Sequence, residues 1–230
     1  MNLKYTLSSH RLCPAPEMPV VFVVDADVSV RTATERLIRA AGWEARTAAS
    51  AEEFLQQERA LTASCLVVEL DLPGSSGLDL QRLLADRSDL PVIFVSARAD
   101  IPATVQAMKG GAFEFFTKPV APEVLLDAIR GALERSEAAL RELTQIHALQ
   151  ERYESLSRRE REVMSLLVRG RLNKQVGGEL GISEITVKAH RGRMMRKMHA
   201  GSFAELVTMA GSLRTGVGAN MANFAASLPS

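Results

Sequence analysis

The stretch Cys65–Leu80, CLVVELDLPGSSGLDL, opens as an uninterrupted apolar run, turns acidic at Glu69 and Asp71, and breaks at Pro73–Gly74 before apolar spacing resumes. A short apolar run bounded by turn residues reads as a strand buried on both faces, the condition met in a parallel sheet covered by helices. A strand that ends in carboxylates above a Pro-Gly turn reads as the edge of a site. The stretch thus raises the fold and, with it, the question of what Glu69 does at that edge.

The same unit recurs on both sides of it. Strand-like runs stand at VVFVVD (Val20–Asp25), WEARTA (Trp43–Ala48), CLVVEL, PVIFVSA (Pro91–Ala97) and FEFFTKP (Phe113–Pro119). Helix-like segments follow each: SVRTATERLIRAAG, AEEFLQQERA, LDLQRLLADRS, DIPATVQAMKGGA, and PEVLLDAIRGALERS, which begins on Pro122. The first carries Val30, Ala33, Leu37, Ile38 and Ala41 at helical spacing. Five strand–helix pairs predict an α/β, flavodoxin-like, doubly wound five-stranded parallel sheet, with its binding edge at the carboxyl ends of the strands.

From Leu125 through Leu156 there is no proline, and Leu133, Leu140, Leu143, Ile146, Leu149, Tyr153 and Leu156 form a broken apolar stripe. This predicts a long linker helix able to pair with a twin as a coiled coil; His147 on it reads as a solvated or packed side chain. After Ser157 only short helical segments follow, so the second domain is expected to be all-α. The organisation read from the chain is a flexible extension over 1–18, an α/β domain over 19–135, a helical linker over 136–155, a second domain over 156–212 and a flexible tail over 213–230.

Lys plus Arg number 28 against 27 Asp plus Glu, so the global charge selects no partner. The distribution does: Pro19–Arg135 holds 12 basic and 17 acidic residues, whereas Leu156–Ala210 holds 11 basic and 5 acidic. An acidic front and a basic back predict domains with different partners. Cys13 and Cys65 have no metal-ligand spacing, no segment reads as a signal peptide or membrane span, and a cytoplasmic protein without membrane contact is expected.

The carboxyl ends of the first, third, fourth and fifth strands carry Asp25, Glu69, Ser96 and Lys118. In a doubly wound sheet these meet at one edge and supply acids, a hydroxyl and a cation. With those landmarks in order, residues 20–135 resemble the receiver domain of bacterial two-component response regulators. The resemblance implies an aspartate at the Glu69 position that accepts phosphate from a sensor histidine kinase. It also implies an acidic pair that holds Mg²⁺ with that aspartate, Ser96 and Lys118 as phosphate readers, and Phe115 as the aromatic that moves with them.

Two positions depart from this pattern. The second acid of the pair falls on Ala26, and Asp27, one residue on, is turned the other way on an extended strand. At the acceptor position Glu69 is longer than aspartate by one methylene, about 1.5 Å, in a chemistry sensitive to displacements of about 1 Å. The expectation is weak or absent Mg²⁺ binding, no resident cofactor, and a receiver not switched by phosphate. Glu69 would then either imitate the phosphorylated product toward Ser96 and Lys118, or pair with Lys118 and hold the edge in one state. Asp71 reads as a solvated turn residue.

In EITVKAHRGRMMRKM (Glu184–Met198), Val187, His190, Met194 and Met198 form an inward stripe, while Lys188, Arg191, Arg193, Arg196 and Lys197 occupy other faces. Ahead of it, NKQVGGELGIS (Asn173–Ser183) supplies a short helix and a turn through Gly181, which together predict a helix-turn-helix. Residues 156–210 resemble the LuxR-type module of the NarL/FixJ response regulators. The resemblance implies Lys188 and Arg191 in the major groove, Thr186 and Arg193 near the DNA backbone, and Asn173, Lys174 and Ser183 on phosphates, with Arg196 extending the basic face. Ala189 and Gly192 offer little hydrogen bonding to bases, which leaves specificity to few contacts and DNA shape.

The reading is a transcriptional regulator that binds double-stranded promoter DNA as a homodimer through the receiver and linker helix, with a sensor histidine kinase or another protein as its candidate partner. The residues leave its control open among protein abundance, a partner protein and a ligand on the receiver. Its alternatives are a conventional phosphorylation-dependent response regulator and a non-DNA-binding signalling adaptor. No nucleophile–base constellation or cofactor loop argues for an enzyme.

Overall fold

The computed structural model describes residues 18–58, 61–98 and 100–215. The readings made on the extension before Met18 and on the tail after Thr215 lie outside the described residues. The chain divides into two compact units, Met1–Leu140 and Arg141–Ser230.

The first unit contains β1 (Val20–Val24), α1 (Val28–Ala40), β2 (Glu44–Ala48), α2 (Ala51–Gln56), β3 (Ser64–Val68), α3 (Gly77–Leu83), β4 (Val92–Ser96), α4 (Ile101–Lys109), β5 (Glu114–Thr117) and the start of α5 (Pro122–Glu154). All strand pairs are parallel, in the order β2-β1-β3-β4-β5. This is the flavodoxin-like order, whose topological switch lies between β1 and β3, so Asp25 and Glu69 leave the sheet at its binding crevice.

Strand side chains alternate between two cores. Val20, Phe22, Val24, Leu66, Val68, Val92 and Phe94 pack toward Phe54 of α2, Leu80 of α3 and Ala107 of α4. Their neighbours Val21, Val23, Cys65, Val67, Ile93 and Val95 pack toward Ile38 of α1 and Leu125, Ile129 and Leu133 of α5. Because each large side chain gains about 1.5–3 kcal/mol on burial, both faces demand apolar residues, and the sequence shows runs instead of alternation. The stripe expected on α1 is narrower in the fold. Ile38 is buried, whereas Ala33 and Ala41 are exposed. Ala33 lies about 140° round the helix from Ile38, and Ala41 is the C-cap, where the chain leaves the helix.

Helix starts are fixed by side-chain caps. Ser50 accepts from Glu53 N, Asp100 from Ala103 N, and Ser76 with Asp79 forms a capping box on α3. Asp27 caps α1, accepting from Ser29 N at 2.7 Å.

The second unit holds the end of α5 with α6 (Arg158–Val168), α7 (Asn173–Leu180), α8 (Glu184–Met198) and α9 (Phe203–Thr215). Leu149, Leu156, Val163, Met164, Leu167, Val176, Val187, Met194, Met198, Leu206 and Leu213 make its core. The tail expected from residue 213 therefore begins inside α9, because Leu213 is buried and its anchoring outweighs the poor helix propensity of Gly211 and Ser212. The apolar stripe of α5 is shared out: Leu133 belongs to the first core, Leu149 to the second, and Leu143 between them is 47% exposed. Gly177 is required by close approach, since a Cβ there would sit 2.7 Å from the Ile182 carbonyl oxygen in the turn. No helix among the described residues is long and apolar enough to cross a membrane.

Candidate functional site

At the sheet edge, the Lys118 ammonium donates to Asp25 Oδ2 at 2.6 Å and to Glu69 Oε2 at 2.7 Å. Its position is set by its own backbone, as Lys118 N donates to Ser96 O at 2.8 Å. The remaining carboxylate oxygens are also used: Glu69 Oε1 accepts from Leu70 N at 2.7 Å and Asp25 Oδ1 from Asp27 N at 2.8 Å. Glu69 Oε2 takes a further, longer bond from Ala97 N at 3.3 Å. Both acids are buried, at 6% exposure for Asp25 and 8% for Glu69, so the bridging cation is what makes two adjacent carboxylates tolerable. Arg31 closes the same edge, donating from Nη1 to the carbonyl oxygens of Asp25 and Ala26 at 2.6 and 2.9 Å.

Burial acts to raise the Glu69 pKa, but hydrogen bonds from Lys118 and Ser96, the Lys118 charge and the Leu70 amide outweigh it and leave the carboxyl below its usual range. For Lys118, burial lowers the pKa, and hydrogen bonding and attraction to Asp25 and Glu69 reverse this to a net rise. The Ser96 hydroxyl has one proton for two acceptors, the Glu69 carboxylate and the Arg98 carbonyl at 3.1 Å. With a depressed folded pKa, Glu69 contributes stability that is complete above its ordinary value of about 4.5 and is lost as pH falls through the folded value. Melting followed by the single tryptophan, Trp43, is expected to fall more steeply below pH 4.5 in the wild type than in Glu69→Gln.

The loop after Glu69 folds back through Gly77, whose amide donates to Leu70 O at 2.8 Å. A Cβ on Gly77 would stand 2.5 Å from the Glu69 carbonyl oxygen and 3.1 Å from Phe94 Cε1. Gly77→Ala is expected to destabilise the unit by about 1–3 kcal/mol, the ordinary cost of overpacking, read as a shifted denaturation midpoint of Trp43 fluorescence. Phe115 stacks on Phe94 with ring centroids 5.8 Å apart.

In the second unit, Ser183 caps α8, accepting from Thr186 N at 3.2 Å, and the two hydroxyls lie 2.8 Å apart. Val187, Met194 and Met198 are buried, and His190 is half-buried with its Nδ1 lacking a hydrogen-bond partner, as does buried Asn173 Oδ1. Lys188 is exposed, its ammonium 3.0 Å from Glu184 Oε1 one turn earlier, and Arg193, Arg196 and Lys174 are exposed too. Arg191 is half-buried, its guanidinium 5.2 Å from the centroid of the Phe203 ring. Lys197 differs from the other basic residues of the helix: its ammonium donates to buried Glu160 at 2.7 Å and to Ser155 O at 3.0 Å.

Residues 21–130 match the response regulator receiver domain, and residues 154–210 match the luxR family of bacterial regulatory proteins. Over 202 residues the chain is 45% identical to nodulation protein W of Bradyrhizobium diazoefficiens, an alignment covering 87% of this chain and 88% of the relative. It is 37% identical over 196 residues to the transcriptional regulatory protein FixJ of Azorhizobium caulinodans, covering 85% of this chain and 93% of that protein. The chain belongs to the NarL/FixJ family of response regulators. Among solved structures, the response regulator StyR superposes with a TM-score of 0.74 at 42% identity, covering 85% of this chain and 99% of that one. The molecule is thus a DNA-binding transcriptional response regulator.

Within this NarL/FixJ protein, the fold brings Asp25, Glu69, Ser96 and Lys118 to one edge. It leaves Ala26 exposed, and gives Asp27 to the α1 cap. The Arg31 clamp and the Ala97 amide were not legible beforehand, since neither residue type is distinctive. An aspartate just before a helical run is a capping signal, so the role of Asp27 had a readable trace. Lys197, which spacing had grouped only with the basic residues off the apolar stripe, is engaged by Glu160 of α6.

Proposed function

We propose that the receiver of this DNA-binding regulator works without phosphorylation, held in one state by the Asp25–Lys118–Glu69 bridge. The observation that carries this is the ammonium already seated between the two buried acids. These residues do not suit Mg²⁺, which is held through carboxylates in a demanding octahedral shell. Two candidate ligands are committed to Lys118, the third position is the methyl of Ala26, and Asp27 caps a helix. Without a metal or a short acceptor, in-line transfer lacks both charge neutralisation and alignment.

Incubating the full chain with acetyl phosphate and Mg²⁺ tests this by intact mass. The wild type is expected to gain no phosphoryl group, and the Ala26→Asp, Glu69→Asp double variant to gain one. A stoichiometric adduct on the wild type that disappears with Glu69→Gln or Asp71→Asn would restore the conventional phosphorylation-dependent reading.

In the rear domain, exposed Lys188, Arg193 and Arg196 support α8 as the groove helix, with Lys174 and the N-cap Ser183 toward phosphates. Arg191, leaning on Phe203, contributes through the packing of α8 on α9 as well as through charge. Homodimers through receiver and linker helix fit two recognition helices on successive major grooves, and partly exposed Leu140, Leu143 and Ile146 are the linker positions such pairing would cover.

A further inference from the structure

Ile185 is 80% exposed at the second position of α8 and belongs to no part of the unit's core. A large β-branched side chain left in water contributes nothing to folding there. On a helix it is nonetheless almost fixed in one χ1 rotamer, so covering it costs little further ordering. Its neighbours at three and four residues, Lys188 and Ala189, are both exposed, and Arg193 and Arg196 add charge beyond them. An isolated apolar group within a cationic helix surface matches a polyanion that also carries apolar groups. Duplex DNA is such a partner, since thymine places a C5-methyl in the major groove while the other base edges there are hydrogen-bonding groups. The first turn of a recognition helix is the part that meets base edges, and helical side chains lean toward the N-terminus, which directs Ile185 to that end.

We propose that Ile185 is a specificity-determining residue that reads a thymine methyl in the major groove. It selects T·A at one position because pressing an isoleucine onto a cytosine amino group or a guanine acceptor would strip water without replacing its hydrogen bond. This rests on α8 being the groove helix. Ala189, with only a methyl, and Gly192, with no side chain, let the helix approach closely enough for the contact; the nearest atom to a Cβ at Gly192 is Arg196 Nη1, 4.0 Å away.

The test starts from duplexes enriched from a randomised library by the full chain. Each thymine is then replaced singly by deoxyuridine, which removes the methyl and keeps every hydrogen-bonding group. One replacement is expected to weaken wild-type binding about fourfold, the value of one buried methyl-sized group, and to leave Ile185→Ala unchanged. At the same position, 5-methylcytosine should bind the wild type more tightly than cytosine does. If no deoxyuridine replacement weakens the wild type, or if the same one weakens wild type and Ile185→Ala equally, the assignment is overturned. If Ile185→Ala keeps the wild-type methyl dependence and loses only reporter activation, Ile185 meets a protein and the assignment is likewise overturned. If no sequence is enriched, the groove-helix reading itself falls. The wild-type deoxyuridine series does not depend on how any variant folds.

Discussion

Replacing Lys118 by methionine is expected to lower the unfolding free energy by about 3 kcal/mol, the low end of the range for breaking a buried ion pair by removing one partner. Methionine leaves an unbranched apolar side chain, one atom shorter, and removes the ammonium with both its charge and its donors. Asp25 and Glu69, 6% and 8% exposed, would then face each other across the place that the ammonium occupies. One of them would have to take up a proton, and its pKa would rise well above the ordinary carboxylate range. Adding Glu69→Gln to Lys118→Met should recover much of the loss, because the surviving Asp25 keeps its bond from Asp27 N. The measurement is the urea midpoint of Trp43 fluorescence at constant slope. A loss below about 0.5 kcal/mol would place the trio with surface ion pairs of little worth and would remove the basis for a receiver held in one state.

Lys188→Ala combined with Arg193→Ala is expected to weaken binding to an enriched duplex about 100-fold at fixed salt, the sum of two contacts of roughly 1–3 kcal/mol each. The two residues should separate when tested singly. Lys188→Ala should relax sequence preference, and Arg193→Ala should lower affinity for all sequences alike and reduce the salt slope by about 0.9. Lys197→Met is the informative contrast. Its ammonium is held by Glu160, which is only 3% exposed, so the change should lower the melting temperature of the unit and leave the salt slope intact. A slope that falls equally for Lys197 and Arg193 variants would mean that position on α8, and not the partner seen in the fold, sets each residue's role.

What the chain spelled out locally was extensive. The five apolar runs, the polar helices between them and the Gly-punctuated rear segment carry period and punctuation, and those are properties of neighbours in sequence. The convergence of Asp25, Glu69, Ser96 and Lys118 was legible as well, because a doubly wound sheet sends every strand end to the same edge. Ala26 and Glu69, on which the proposed phosphorylation-independent receiver rests, needed only to be read from the sequence.

Tertiary structure decided the roles that depend on which partner a side chain reaches. Lys197 shares its helix with Lys188 and Arg193 yet turns to a buried glutamate from another helix, and helical spacing cannot reveal a partner 37 residues away. Arg191 leans on a phenylalanine of the next helix, and Leu213 extends α9 past a glycine and a serine because a core lies beside it. Asp27, one residue from the pocket, serves a helix terminus instead. Above all, it was the fold that seated the Lys118 ammonium between two carboxylates 93 and 49 residues distant in the chain. Propensity and periodicity are set by local backbone geometry, whereas the pairing of buried charges is set by desolvation, which exists only once the sheet edge has closed around them.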